Sequence, residues 1–432
     1  MSQSHTISTP AMEQNLASNR KQDTVWMLSL YGTAIGAGTL FLPIDAGLNG
    51  IWPLIIMTIL AFPMTYFSHR ALCRFVLSSA HTKNDITDVV EEHFGQSAGK
   101  LLTLLYFFAI YPILLMYSVA ITNTTQSFII NQMGLTAPHR SLLALILLLA
   151  LMTIIRFGQQ IIIKSMSMLV YPFIAILATL SIYLIPHWNG AVLHHDASIN
   201  NVQGSHGILM TMWLVIPVMV FSFNHSPIIS SFAVSQKQRF AGLADEKCSR
   251  ILKFSHIMMV ATVMFFVFSC VFSLSPQDLA LAKSQNISIL SYLANHFQTP
   301  TIAYIAPLVA FIAISKSFLG HYLGASEGLQ GLLTKSLRAR GKIVSHKTLQ
   351  YWIEAFVLLT CWIVATINPN ILKMIETLGG PVIAMILFLM PMYAIAKVPA
   401  MKKYSRPRSD AFTTVIGLIA ISAILYGLWG SI

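Results

Sequence analysis

The chain contains eleven apolar runs, each long enough to cross a lipid bilayer as a helix. About 20 apolar residues span the hydrocarbon core of a bilayer. Only 10% of the residues are charged, against about 25% in soluble domains, so most of the outer surface must face lipid. The sequence therefore predicts an all-α integral membrane protein with eleven transmembrane helices. The runs lie near residues 25–47, 50–72, 99–130, 141–157, 161–186, 207–233, 250–274, 301–333, 349–367, 371–396 and 411–430.

The basic residues predict how these runs are oriented. If residues 1–24 form a cytoplasmic tail, nearly all Lys and Arg residues fall on the cytoplasmic side, as membrane proteins prefer. Only Arg140, Lys283 and Lys373 then fall outside, and Lys316 lies within a span. The net charge of +12 is therefore a topology signal and does not indicate a nucleic-acid partner. With an odd number of spans, the C-terminus lies outside.

The first run is interrupted near its middle by the stretch "YGTAIGAGTLFLPIDAG", residues 31–47. Gly36, Gly38 and Pro43 are poor helix formers, and lipid tolerates freed backbone groups only where protein or a water-filled cavity surrounds them. Taken alone, this break fits either close packing of helices through small residues or a binding site in the backbone.

A second interruption favours the binding site. The stretch "FSFNHSP", residues 221–227, places Asn224, His225 and Ser226 near the middle of the sixth run. Polar groups at that depth are costly and usually face a functional cavity. Paired breaks at corresponding positions predict an inverted-repeat transporter. Residues 25–186 would form the first five-helix repeat, residues 207–396 the inverted second repeat, and residues 411–430 one extra helix.

The chemistry of the two breaks predicts the class of substrate. An unwound segment exposes N–H groups at one half-helix, which suit a carboxylate, and carbonyl groups at the other, which suit an ammonium group or a cation. A zwitterionic amino acid satisfies both. Ser222, Asn224, His225 and Ser226 are small or polar, so we expect them to suit a hydroxylated side chain better than an aliphatic one.

Lys316 is the one Lys or Arg residue that lies far from both ends of a span, in the stretch "AISKSFLGHYLGASEG". It lies about 15 residues from the external end, roughly 23 Å along the helix. Two interpretations stay open: a permanently charged lysine that fixes helix packing, or a titratable ammonium in the place where a related transporter holds sodium. Burial disfavours the charged form of a lysine, so the second interpretation makes Lys316 a proton-coupling residue, with carbonyl groups near Ala34 and Ile35 as its expected contacts.

Three longer stretches carry a family resemblance. The sequences "GTAIGAGTLFLPIDAGLNG", "VMVFSFNHSPIISSFAV" and "KSFLGHYLGASEG" resemble the bacterial hydroxy and aromatic amino acid permease family, most closely its serine–proton symporters in the serine/threonine branch. The resemblance extends over residues 25–430. It implies the leucine-transporter-type 5+5 inverted repeat with broken helices 1 and 6. It also implies location in the bacterial inner membrane, a periplasmic C-terminus, and proton-driven uptake of L-serine by alternating access.

The resemblance also implies a substrate site. A tyrosine of helix 3 would complete the site, and the sequence does not decide between Tyr106, Tyr111 and Tyr117. The expected substrate-binding residues are Thr33, Ala34, Ile35, Gly36, Ala37, Gly38 and Thr39 of the first break, and Phe221, Ser222, Phe223, Asn224, His225 and Ser226 of the second.

Other functions stay open as alternatives. L-Threonine is a possible further substrate, and a sodium-coupled or exchange-type permease would share the fold, whereas a channel or receptor belongs to another class. The membrane Ser and His residues have no nearby acid at a useful spacing, so no enzyme is expected. The four cysteines match no metal motif, so we expect no metal or cofactor beside the transported proton. The expected partners are L-serine, the proton and lipid, with the protein as a monomer.

Overall fold

The computed structural model describes residues 9–193, 208–297, 299–342, 344–375 and 380–429, and these residues form a bundle of helices. Short 3-10 turns lie at Ile185–His187, Ala191–Leu193 and Ala241–Leu243, and a π-helical turn at Met385–Leu389. The α-helices are α1 (Thr9–Ala34), α2 (Ala37–Leu48), α3 (Ile51–Leu77), α4 (Ile86–Asn131), α5 (Arg140–Arg156), α6 (Gln159–Leu184), α7 (Ile208–Ser222), α8 (Ser226–Phe240), α9 (Ala244–Ser273), α10 (Pro276–Ser284), α11 (Ile289–Phe297), α12 (Pro300–Ala339), α13 (His346–Ile367), α14 (Ile371–Met374), α15 (Gly380–Ala384), α16 (Met390–Lys397), α17 (Pro399–Lys402) and α18 (Pro407–Trp429).

Many of these helices have the length and composition of membrane spans. Among the described residues, six segments are long and apolar enough to cross a bilayer, and the bent pair Arg20–Ala34 and Gly38–Leu48 makes a seventh. Met210–Ser222 and Val382–Lys397 are shorter apolar helices. The six segments are Ile51–Leu77, Ile86–Asn131, Gln160–His187, Ser226–Ser273, Pro300–Ala339 and His346–Ile367. These segments all overlap runs that the sequence predicts as spans.

Helix α4 begins earlier than the corresponding apolar run because it includes an amphipathic first segment. The Asp85 side chain caps this segment by accepting the backbone N–H groups of Thr87 and Asp88. Gly95 has φ +80° and ψ 172°, a conformation that residues other than glycine rarely adopt. The chain turns there, so the segment before Gly95 and the apolar segment after it run in different directions.

Helix α12 packs closely against α4 through small residues. A β-carbon at position 324 would lie 2.8 Å from Ile110, and one at position 328 would lie 3.2 Å from Phe107. These approaches explain the glycines at four-residue spacing on one face of α12, because only a residue without a side chain leaves room for α4. The packing brings the middle of α12 next to the break between α1 and α2.

Helices α10 and α11 lie between α9 and α12 and are fixed by one carboxylate. Asp278 accepts hydrogen bonds from the hydroxyl group of Ser275 (2.5 Å), the backbone N–H of Ser275 (3.0 Å) and the hydroxyl group of Tyr292 (2.7 Å). Partial burial opposes ionisation of Asp278, but these hydrogen bonds outweigh it and hold the pKa of the carboxyl below its ordinary value.

Substituting Asp278 should therefore destabilise the protein in a pH-dependent way. A depressed folded-state pKa stabilises the fold above the unfolded-state pKa of about 3.9, and this contribution is lost as the pH falls through the folded-state value. We expect Asp278→Asn to lower the unfolding temperature in detergent by about 2 °C at pH 7, with a smaller difference as the pH falls towards the folded-state value. A difference that stays constant with pH would contradict the role of the charged carboxylate.

Candidate functional site

The first break separates α1 and α2, whose axes are bent by 50°. Helix α1 ends at Ala34 and α2 begins at Ala37. A β-carbon at position 36 would lie 2.3 Å from the Oγ atom of Ser317 and 2.7 Å from the ring of Tyr117. Glycine at position 36 therefore lets the broken backbone contact both α12 and α4, which a side chain would prevent.

The second break separates α7 and α8 and is held by local hydrogen bonds. Helix α7 ends at Ser222 and α8 begins at Ser226. The Oδ1 atom of Asn224 accepts the backbone N–H of Ser226 (3.1 Å), and the Nδ1 atom of His225 lies 3.0 Å from the carbonyl oxygen of Phe223. Pro227 is tolerated in the first turn of α8 because a helix start needs no N–H there.

The two breaks are in direct contact. The hydroxyl group of Thr39 donates to the carbonyl oxygen of Ser222 (3.1 Å), and the hydroxyl group of Ser222 donates to the carbonyl oxygen of Gly38 (3.2 Å). The ring of Phe221 approaches Gly38 so closely that a β-carbon there would lie 2.9 Å from it. Two segments that are far apart in the sequence, and that were both predicted as substrate-binding, therefore meet at one place.

These reciprocal hydrogen bonds should contribute measurably to stability. Thr39→Val removes one buried hydrogen bond and leaves the volume nearly unchanged, so we expect a loss of about 1 kcal/mol and an unfolding temperature about 1–2 °C lower in detergent. Thr153→Val is the matched control, because the hydroxyl group of Thr153 is exposed and bonds only within its own helix. Equal unfolding temperatures for the two variants would contradict the bridge.

The two breaks differ in which backbone N–H groups are left without a capping side chain. The first N–H groups of any helix lack intrahelical partners, and Gly36 provides no side-chain cap for those of Ala37, Gly38 and Thr39. By contrast, Asn224 already accepts the first N–H of α8. The N-terminus of α2 therefore offers the amides and the positive helix-dipole end that suit a carboxylate.

Lys316 lies elsewhere than the sequence analysis expected. Its side chain is fully buried, and its Nζ atom lies 3.9 Å from the ring centroid of Phe173 on α6, without a hydrogen-bond partner among the described residues. The hydroxyl group of the next residue, Ser317, occupies the expected place instead. The reason is helical phase: with 3.6 residues per turn, neighbouring side chains point about 100° apart.

Ser317 closes the C-terminal end of α1. Its Oγ atom lies 3.2, 3.1 and 2.9 Å from the carbonyl oxygens of Gly32, Thr33 and Ile35. Since a hydroxyl group carries one proton, it can donate to only one of these oxygens at a time. Ser317 could not be identified from the sequence, because a serine beside a buried lysine carries no signal of its own.

The structure distinguishes the three tyrosines of α4. Tyr117 contacts the first break at Gly36, and its ring lies 4.9 Å from the ring of His321. Tyr111 instead donates to Thr360 on α13, and Tyr106 packs near Gly328, towards the start of α4. Tyr117 is therefore the tyrosine that lies beside the candidate site.

Three buried histidines meet next to the second break: His69 on α3, His225 in the break and His256 on α9. We call them the histidine cluster. The rings of His69 and His225 are stacked with centroids 3.7 Å apart and planes 4° apart, and the ring of His256 lies 4.7 Å from that of His225. Of these residues, only His225 could be identified from the sequence, because His69 and His256 stand alone in apolar runs.

The geometry of the histidine cluster does not fit a three-ligand metal site, although the ring nitrogens approach within 4.8 Å of one another. Both nitrogens of His69 are occupied, one at the carbonyl oxygen of Thr65 (2.8 Å) and one at the backbone N–H of His225 (3.1 Å). The rings of His69 and His225 are also nearly parallel, with planes 4° apart, so their in-plane lone pairs lie in separate planes and cannot converge on one ion.

Two cavities lie at opposite ends of the bundle. One, of about 580 Å³, is at the C-terminal end of α4 and is lined by residues that include Asn123, Arg140 and Tyr292. The other, of about 710 Å³, is at the start of α4 and is lined by residues that include Ser230 and Tyr322. The contacting breaks lie between these ends with buried side chains, so the candidate site is closed from both cavities in this conformation.

A pair of contacting broken helices inside an apolar bundle, with a cavity towards each end, defines a multi-pass membrane transport protein. The structure is similar to the crystal structure of MhsT in complex with L-phenylalanine, with a TM-score of 0.61 and 16% sequence identity, over 94% of this chain and 98% of that chain. This likeness shows that the chain shares the fold of MhsT.

The tryptophan/tyrosine permease family model matches residues 23–429, so the chain belongs to this family. It is 64% identical to the serine transporter SdaC of Escherichia coli strain K12, over 98% of both chains. It is 48% identical to the threonine/serine transporter TdcC of Yersinia enterocolitica, over 95% of this chain and 96% of that protein. The chain is thus an amino acid transporter and not an enzyme.

Proposed function

We propose that this protein imports L-serine together with a proton by alternating access. The observation that carries the proposal is the contact between the two breaks, where Thr39 and Ser222 bridge α2 and α7. The similarity to serine transporter SdaC over nearly the full length supports L-serine as substrate. The similarity to threonine/serine transporter TdcC makes L-threonine a second candidate.

Each group of the substrate has a matching group at the breaks. The carboxylate would accept hydrogen bonds from the N–H groups of Ala37, Gly38 and Thr39, and the ammonium group would donate hydrogen bonds to carbonyl oxygens at the C-terminal end of α7. Ser222 and Ser226 would form hydrogen bonds with the hydroxyl group of the substrate. A site that binds the hydroxyl group through hydrogen bonds discriminates strongly against alanine, which lacks it. One additional methyl group changes the discrimination by only about 1–3 kcal/mol, so the site would discriminate weakly against threonine.

Lys316 is the proposed proton-coupling residue. Protonating a buried lysine amine that has no hydrogen-bond acceptor nearby is costly. Protonation therefore favours a conformation in which the Nζ atom reaches hydrogen-bond acceptors. Suitable acceptors are the carbonyl oxygens of Gly32, Thr33 and Ile35, which Ser317 contacts in this conformation. A shift of α12 relative to α1 would let the ammonium group compete with Ser317 for them, which links protonation to movement of the first break.

The two cavities support alternating access. In the proposed topology, eleven spans cross the bacterial inner membrane, residues 25–186 and 207–396 form the two inverted repeats, and the N-terminus is cytoplasmic. The 580 Å³ cavity then faces the periplasm and the 710 Å³ cavity faces the cytoplasm. Ser230 lines the latter one helical turn after Ser226, so inward opening would connect the breaks with that cavity. The monomer is the proposed transporting unit.

Uptake by the purified protein in liposomes tests this function. We expect labelled L-serine to accumulate transiently under an inward proton gradient without sodium, and a protonophore to collapse the accumulation. Accumulation that requires a sodium gradient, or exchange that ignores the pH gradient, would favour the alternative permease mechanisms. Current without accumulation would indicate a channel. The absence of any L-serine transport by protein that exchanges another amino acid would exclude L-serine as the substrate.

A further inference from the structure

We propose that the histidine cluster controls the second break through one hydrogen bond that depends on protonation, which we call the latch. When the His69 ring is neutral, its Nε2 atom accepts this hydrogen bond from the backbone N–H of His225 (3.1 Å). When that nitrogen binds a proton, it can no longer accept, and the start of α8 is released from α3. The latch rests on the proposed proton-coupled function, but it is distinct from Lys316, which contacts Phe173 on α6.

The hydrogen bonds of the cluster define the tautomer of each ring. The Nδ1 atoms of His69 and His256 lie 2.8 and 2.5 Å from the carbonyl oxygens of Thr65 and Leu252, each four residues earlier. A carbonyl group can only accept, so both Nδ1 atoms carry the proton. His225 does the same with the carbonyl oxygen of Phe223. Each of the three Nε2 atoms therefore carries a lone pair that can accept a proton.

Two of these lone pairs are free to receive the proton. The Nε2 atoms of His225 and His256 are buried and have no hydrogen-bond partner in the part of the chain that the structure describes. The third, on His69, is occupied by the His225 amide. A proton that enters at His225 or His256 therefore lies beside the ring of His69, whose centroid is 3.7 Å from that of His225 and 5.6 Å from that of His256. The rings are too close together for two of them to be positively charged without strong repulsion.

The consequence of protonating His69 follows from donor and acceptor chemistry. The neutral Nε2 atom accepts, whereas the protonated one donates. The backbone N–H of His225 is also a donor, so the two hydrogens would face each other and the bond would be lost. His225 precedes α8 directly, and its neighbour Asn224 caps that helix. Loss of the bond therefore frees the segment that links the candidate site to α8.

The surroundings of the cluster contain few other titratable groups. On α12, His321 interacts electrostatically with His225. On α3, the ring of Tyr66 meets that of His256 at 5.9 Å, and the Arg70 guanidinium lies 4.8 Å from the centroid of the Tyr66 ring. The uncharged side chain of Asn224 faces His69. Among the described residues, these groups leave the imidazole rings themselves as the nearest bases.

The variant His69→Gln separates the two roles of His69, which are to accept the hydrogen bond from the His225 amide and to take up a proton. A glutamine side chain keeps a carbonyl oxygen to accept the His225 amide but takes up no proton. We expect exchange of labelled L-serine, measured in liposomes at equal internal and external pH, to vary at least about 5-fold between about pH 4 and 7 in the wild type, because burial disfavours the charged form of a histidine ring. In His69→Gln the profile should be flat. His93→Gln, a partly buried histidine outside the cluster, is the matched control and should keep the wild-type profile.

A His69→Gln profile that superimposes on the wild-type profile would overturn the latch, as would a flat wild-type profile. Nitrogen-15 NMR of the histidine side chains in lipid bilayers gives a second readout that needs neither a folded variant nor transport. We expect one buried histidine to change from the neutral Nδ1–H tautomer to the imidazolium form as the pH falls. Retention of the neutral form by every buried histidine would also overturn the latch. Titration without proton-driven uptake would instead reject the proposed function.

Discussion

Replacing Lys316 should abolish proton-driven accumulation of L-serine while exchange continues. Lys316→Met keeps most of the buried volume but removes the ammonium group, so proton binding no longer favours one conformation over another. We expect accumulation under an inward proton gradient to fall at least about 10-fold, towards the equilibrium ratio, because coupling requires a differential interaction with the two states. Exchange of internal for external L-serine, measured with the same liposomes, should persist.

Lys283→Met is the matched control for this substitution. Lys283 is exposed on α10, so its loss should leave both accumulation and exchange unchanged. Full accumulation by Lys316→Met would remove Lys316 from the coupling mechanism and leave the buried ammonium group with a packing role against Phe173. Loss of exchange together with accumulation would instead place Lys316 in the transport step itself.

Adding one methyl group at the first break should slow transport strongly. In Gly36→Ala the new β-carbon would lie 2.3 Å from the Oγ atom of Ser317, closer than packed atoms tolerate. Forcing extra atoms into a packed site typically costs about 1–3 kcal/mol, and here the displaced group holds the carbonyl oxygens at the end of α1. We expect at least about 10-fold slower uptake of L-serine in liposomes, with the protein still folded.

Two further variants identify the cause of that loss. Gly242→Ala is the control, because a β-carbon at position 242 would meet no atom within 4 Å, and it should transport normally. The double variant Gly36→Ala with Ser317→Gly removes the clash with Ser317 and leaves only the 2.7 Å approach to the Tyr117 ring, so it should regain part of the lost rate. Normal uptake by Gly36→Ala alone would show that the first break does not need this close approach.

The sequence predicted the helical class and both breaks because their signals are local. Apolar runs identify candidate spans, and glycine, proline and polar residues inside such a run mark a broken helix wherever they occur. The contact between Gly38 and Ser222 also agrees with the prediction that the two breaks belong to one site. That prediction needed no long-range geometry, since the corresponding position of the breaks in the two halves of the chain was sufficient.

The sequence could not predict contacts that depend on helical phase or on packing between distant helices. Lys316 and Ser317 are neighbours in the chain, yet only Ser317 reaches the carbonyl oxygens of α1, because the rotation of α12 decides which of them points there. In the same way, the rotation of α4 places Tyr117 at the break. His69 and His256 join His225 only through the packing of α3 and α9 around α8.

A structure of the protein with bound L-serine would show whether the two breaks form the substrate site. We predict that the substrate lies between the two breaks, with its carboxylate at the N–H groups of Gly38 and Thr39 and its hydroxyl group near Ser222. Binding of L-serine in either end cavity, with Thr39 and Ser222 still bonded to each other and no substrate between the breaks, would contradict it.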